Sequence, residues 1–124
     1  MPKLSASAAP QVKDFGLGVD RSGDLDGYTV SFVSIRQGHS LAGLLMGLPG
    51  DACPCPHWGY LLAGKITVRY ADHEEIFEPG DAFFMAPGHV PEAASGSEFI
   101  QFSPAADLAR VEAVMAANMA ANGA

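Results

Sequence analysis

Apolar residues in this chain come in short runs broken by glycine, proline and charge, and most runs lack helical spacing. YTVSFVSIR (28–36) is β-branched and aromatic and predicts a strand. SLAGLLMGL (40–48), apolar with two glycines, fits a strand or a short helix, and a strand with bends is the preferred reading. GYLLAG (59–64) and KITVRYA (65–71) are strands parted by a glycine-centred break. DHEE (72–75) is a turn leading into EIFE, EPGD (78–81) a second turn, AFFMA (82–86) a strand and PGHVP (87–91) a third turn. Within AFFMA, either Phe83 with Met85 or Ala82 with Phe84 lines the interior. SEFIQFS (97–103) alternates, with Phe99 and Gln101 opposed to Ile100 and Phe102. Strands at this spacing predict an antiparallel barrel or sandwich.

The period changes at Ser103. Ser103 is placed to cap a helix over 104–122, with Pro104 at its first position and Asp107 early in it. Leu108, Val111, Met115 and Met119 recur at helical spacing, and Gly123 can end the helix. That stripe packs against the barrel or a second subunit. Residues 1–12 read as a loose tail and 13–103 as the barrel, one domain without internal repeats.

Composition narrows the function. The net charge is −7, from 14 acidic and 7 basic residues. The basic residues are scattered, so nothing tracks a phosphate backbone and nucleic acid is not an expected partner. No apolar run is long enough to span a membrane, and the N-terminal residues lack the apolar core of a signal peptide. Two cysteines without an export signal fit a reducing cytoplasm and free thiols.

The stretch HWGYLLAGKITVRYADHEEIFEPGDAFFMAPGHVP resembles the two motifs of a single-domain cupin joined by a short hairpin. Gly64 matches the glycine that closes motif one; Pro79, Gly80 and Asp81 match the turn opening motif two. Ala86, Pro87 and Gly88 match its later turn, with alanine in place of a proline. The likeness covers residues 40–103 and implies an all-β, cupin-like jelly-roll β-barrel, here with a C-terminal α-helix. The usual cupin ligands, three histidines and a glutamate, are replaced. His57 occupies the glutamate position, Cys53 and Asp51 the first histidine pair, and Pro91 the motif-two histidine, with His89 two residues before it. The set resembles a subgroup with Cys-x-Cys-Pro-His followed by Trp-Gly-Tyr. The resemblance implies a fold and a pocket position, not a reaction.

CPCPHWGY (53–60) is where chemistry concentrates. On an extended strand Cys53, Cys55 and His57 share a face. A disulfide between cysteines two apart on a strand does not fit: their Cα atoms lie roughly 6.6 Å apart with parallel Cβ vectors. Two thiolates and an imidazole make a soft metal site, best suited to zinc, with iron(II) or copper as alternatives. The competing reading is inert or redox thiols that pack as small apolar residues. Pro54 and Pro56 lack N–H groups on one lateral side, so the segment should be an edge or bulge. His89, in the turn that cupins bring near motif one, is the expected fourth ligand; Asp51, Glu92 or water are alternatives. His39 and His73 sit in polar turns and should be solvated. Two functional classes follow: a metal-dependent enzyme acting on a small organic molecule, or a non-catalytic small-molecule binding or sensing module. A homodimer is expected: the Pro-containing edge is open to pairing, the stripe Leu108, Val111, Met115 and Met119 needs cover, and outward Trp58 and Tyr60 suit an interface.

Overall fold

A computed structural model describes residues 3–123. Among the described residues ten strands precede one α-helix: β1 (Gln11–Asp14), β2 (Gly18–Leu25), β3 (Tyr28–Ile35), β4 (His39–Ser40), β5 (His57–Ala63), β6 (Ile66–Arg69), β7 (Glu74–Phe77), β8 (Ala82–Met85), β9 (Val90–Ala93), β10 (Glu98–Pro104) and α1 (Ala105–Gly123). They form two antiparallel sheets, ordered β1-β2-β3-β10-β5-β8 and β4-β9-β6-β7. β10, last in sequence among the strands, lies between β3 and β5 inside the large sheet, whose edges are β1 and β8. No helix among the described residues is long and apolar enough to cross a membrane.

Two apolar clusters fill the interior. Leu61, Ile66, Val68, Phe77, Phe83 and Met85 join the sheets, so in AFFMA the inward pair is Phe83 with Met85. The second cluster sets Leu45, Cys53 and Cys55 against Leu108 and Val111 of α1, with Met115 packed on it. The helical stripe therefore docks on its own chain, while Met119 is 46% exposed.

The glycine matched to the end of motif one has a physical reason to be glycine. Gly64 has φ +85°, and a Cβ there would lie 2.4 Å from Ser97 Cα. Ser97 is fully buried; its hydroxyl donates to Ala94 O (2.7 Å) and accepts from Lys65 N (3.1 Å).

Local patterning misleads in several places. Residues 40–48 are not a strand beyond Ser40: a 3-10 turn, Ala42–Leu44, carries Leu45 into the cluster beneath α1. Its apolar character serves helix packing, which period-two reasoning reads as a strand. PGHVP turns only through its first half, because Val90 begins β9 against β6. β2 goes unforeseen, since GVDRSGDL has no apolar alternation. Its signal was the turn: Asp26 (φ 49°) and Gly27 (φ 84°) form the two-residue loop between the paired Leu25 and Tyr28.

Candidate metal centre

His57 opens β5 with its side chain inward, opposite Met85 of β8. Cys53 reaches it by a single bridge to the segment before β9. Its N–H donates to His89 O (2.9 Å), and its carbonyl accepts from Gly88 N (2.8 Å). Gly88 makes the turn at φ +98°. Donor atoms of Cys53, His57 and His89 consequently lie within 4.8 Å of one another, and all three residues are buried. Cys53 Sγ is 3.7 Å from His57 Nε2. Two such ligands on a tetrahedral zinc would be roughly 3.6 Å apart, given Zn–S and Zn–N bonds of about 2.3 and 2.0 Å.

Cys53, Cys55 and His57 do not form one extended run. The prolines withhold their N–H groups, and regular pairing starts only at His57. Cys55 falls at a bend, where its thiol donates to Pro56 O (3.5 Å) and lies 4.0 Å from His57 Nδ1. That is the opposite ring nitrogen from the one facing Cys53. Both cysteines are free thiols. The other candidates are occupied elsewhere. Asp51 is exposed and accepts from Gly47 N (2.9 Å); Glu92 pairs with Arg69 at 3.6 Å. His39 is half-buried, its Nδ1 2.9 Å from Gln37 O, and His73 is exposed between Asp72 and Glu75.

Hydrogen bonds set the imidazoles for ligation. His89 Nδ1 lies 2.7 Å from Ala86 O, an acceptor only, so Nδ1 carries the proton. The lone pair is then on Nε2, which is buried without a hydrogen-bond partner. An orphaned buried nitrogen is costly, and a cation satisfies it. His57 Nδ1 lies 2.7 Å from Ser103 Oγ; donation to that hydroxyl leaves Nε2 free towards Cys53. A hydrogen bond behind each ring is the usual support of a metal-ligating histidine. Ser103 is thus a partner of His57, in the last inward position of β10, and not the expected helix cap. Its signal was parity: it continues the inward series of Phe99 and Gln101.

Electrostatics agree with neutral imidazoles. Burial, then the neighbouring His89, pulls His57 down to about 3, and burial also lowers His89. Burial pushes the Cys53 thiol up. Burial, with Cys53, Asp107 and Glu112 nearby, pushes Cys55 up to about 12. Without a cation, both thiols keep their protons at neutral pH.

Two facing antiparallel sheets, a Pro-Gly-Asp turn and inward donors from the two motif regions define a cupin jelly roll, and the chain has that fold. Solved structures carry the same architecture. A protein of unknown function from Rhizobium leguminosarum aligns at TM-score 0.62 with 20% identity, over 83% of this chain and 95% of its own. An RmlC-like cupin from Shewanella frigidimarina aligns at 0.52 with 18% identity, over 76% and 83%. An oxalate decarboxylase mutant from Bacillus subtilis aligns at 0.61 with 15% identity, over 82% of this chain but 28% of its own. No protein-family model matches the sequence, and no curated protein matches it.

Proposed function

We propose that this is a metal-binding cupin in which Cys53, His57 and His89 hold one divalent ion, zinc by preference, beside a small-molecule site. The observation that carries the reading is His89 Nε2, buried, unprotonated and unpartnered within the Cys53–His57 cluster. One thiolate and two imidazoles suit zinc and accept iron(II) or copper. Three protein ligands leave a coordination position for water or a substrate atom, where a bound metal supplies Lewis acidity. Cys55 is assigned to packing beneath α1. The fold alone is shared with oxalate decarboxylase, so the reaction is not carried over.

A second reading, a non-catalytic binding module with a closed metal, has its own support. Met85 is 2% exposed and directly opposite His57 on the inward face, where paired Cβ atoms lie roughly 5 Å apart. Its thioether is a soft donor able to take the fourth position, and the ligands are themselves sealed from solvent.

Elemental analysis of protein purified without added metal tests the centre. Near-stoichiometric metal is expected, lost in Cys53→Ser and His89→Ala and kept in Cys55→Ser. Metal unaffected by Cys53→Ser and His89→Ala would refute the assignment. The readings part on cobalt-substituted protein: a visible spectrum that changes on adding azide marks an open position. A spectrum indifferent to azide but altered by Met85→Leu marks a closed one.

A further inference from the structure

Two buried side-chain polar atoms among the described residues lack a hydrogen-bond partner: His89 Nε2, in the metal centre, and Asp20 Oδ1. Asp20 belongs to a different place. On β2 it lies opposite Val33, which lies opposite Phe99, itself opposite the buried Leu61. Cross-strand partners share a face, so the Asp20 side chain points inward. On its other side it faces Lys13 of β1, and two residues along Ser22 faces Gln11. Where these strands meet α1 there is a cavity of about 460 Å³, lined by Gln11, Lys13, Asp20, Ser22 and, from α1, Glu112. Lys13 Nζ lies 3.9 Å from Glu112 Oε2. Among the described residues Asp20 has no ion-pair partner.

We propose that this cavity is a ligand site separate from the metal centre, taking a small organic molecule by its primary ammonium group, with Asp20 as the counter-ion. Charge selects a cation: two carboxylates line the cavity against one ammonium, which Glu112 already engages. The orphaned oxygen selects a cation that donates hydrogen bonds, because a buried acceptor is costly until an N–H meets it. A quaternary ammonium has no N–H, and no aromatic ring lines the cavity to hold one by its face. Among the described residues the only three His, Cys, Asp or Glu side chains with donor atoms within 4.8 Å of one another are Cys53, His57 and His89. The cavity therefore offers a bare divalent ion too few oxygens. Ser22 and Gln11 add acceptors, and Pro10 and Val12 an apolar wall for a short alkyl chain. The volume is in the range of small-molecule sites. Burial pushes the Asp20 carboxyl up to about 6, with Glu112 adding and Lys13 opposing. Those two are the charged groups that face it, from α1 and β1; its β3 neighbour Val33 carries none. A bound ammonium favours the ionised form, so proton and ligand compete. Every lining residue lies outside 40–103, the stretch that carries the cupin likeness.

Backbone amide NMR shifts of the protein as purified are followed while n-butylammonium chloride is added, at constant ionic strength, to about 50 mM, a range suited to so small a probe. Saturable shifts are expected along β1, β2 and the turn of α1 around Glu112, with tetramethylammonium and butyrate giving none. Apparent affinity should fall about 10-fold between pH of about 7.5 and about 5, as a carboxyl near 6 takes its proton. Asp20→Asn should weaken binding by about 10-fold or more, since a charge-assisted hydrogen bond is lost. Glu74→Gln, which removes an exposed carboxylate on the other sheet, should bind as wild type. If Asp20→Asn does not fold, the wild-type pH series decides by itself. The absence of saturable shifts at the cavity overturns the proposal. So does an equal response to tetramethylammonium, which marks unspecific attraction to an acidic chain, a response to butyrate in place of the amine, or binding that tightens on acidification.

Discussion

Acidification should separate the burial of His57 from every other contribution to stability. In the unfolded chain its pKa is near 6.5; in the fold, burial and His89 bring it to about 3. A histidine lowered by folding contributes stability that is full above 6.5 and is lost as pH falls towards the folded value. At pH 4.5 the unfolded chain has taken the proton and the native one has not. Two pH units below 6.5, at about 1.36 kcal/mol each, remove about 3 kcal/mol. The group is well buried, so solvent screening reduces this little. His89 acts in the same sense. Asp20 acts in the opposite one. Burial, with Glu112 adding and Lys13 opposing, pushes its carboxyl up to about 6. Its contribution is full below the unfolded value and is lost as pH rises through about 6. The raw pH profile therefore mixes signs, and a variant is required. Urea unfolding of metal-free wild type and His57→Gln, in chelator at pH 7.5 and 4.5, isolates the term. The stability difference between the two should shrink by about 3 kcal/mol on acidification. A change under about 1 kcal/mol would refute the claim that His57 is held neutral by burial.

Two further outcomes follow from named contacts. Ser103→Ala removes the hydroxyl 2.7 Å from His57 Nδ1, so zinc affinity by chelator competition should fall roughly 10- to 100-fold with the fold intact; unchanged affinity refutes the positioning role. Gly64→Ala forces a Cβ against the Ser97 backbone at positive φ, and urea unfolding should register a loss of roughly 2 kcal/mol or more, whereas wild-type stability would mean the turn relaxes freely.

Much of the fold was legible because strand and turn chemistry are local. The run 28–36, the alternation through 97–103 and the Pro-Gly-Asp turn need only neighbouring residues to be read. The outward placement of Trp58 and Tyr60 followed from period two once His57 was taken as inward. Residues 40–48 defeated the same reasoning, because apolar glycine-containing sequence fits a strand and a packed turn equally. What decided between them was α1, more than sixty residues away, whose Leu108 and Val111 need Leu45. β2 has only Val19 and Leu25 as apolar side chains, six residues apart, and is held by its partners on both sides, which no local window reports.

For the site, sequence alone determined the inventory: two cysteines and a histidine around two prolines, and a second histidine after a Gly-containing turn. It determined that these donors are soft and that the prolines interrupt regular pairing. Tertiary structure decided which donors meet. The Cys53–His89 bridge joins segments far apart in sequence, and the bend at Cys55 turns that thiol towards the opposite side of His57. It also decided that Ser103, from the last strand, stands behind His57 and not at the head of a helix. The physical reason is the same in each case. Composition and spacing state which groups can bind or pair, but distance and burial depend on segments that the chain brings together only by closing its sheets.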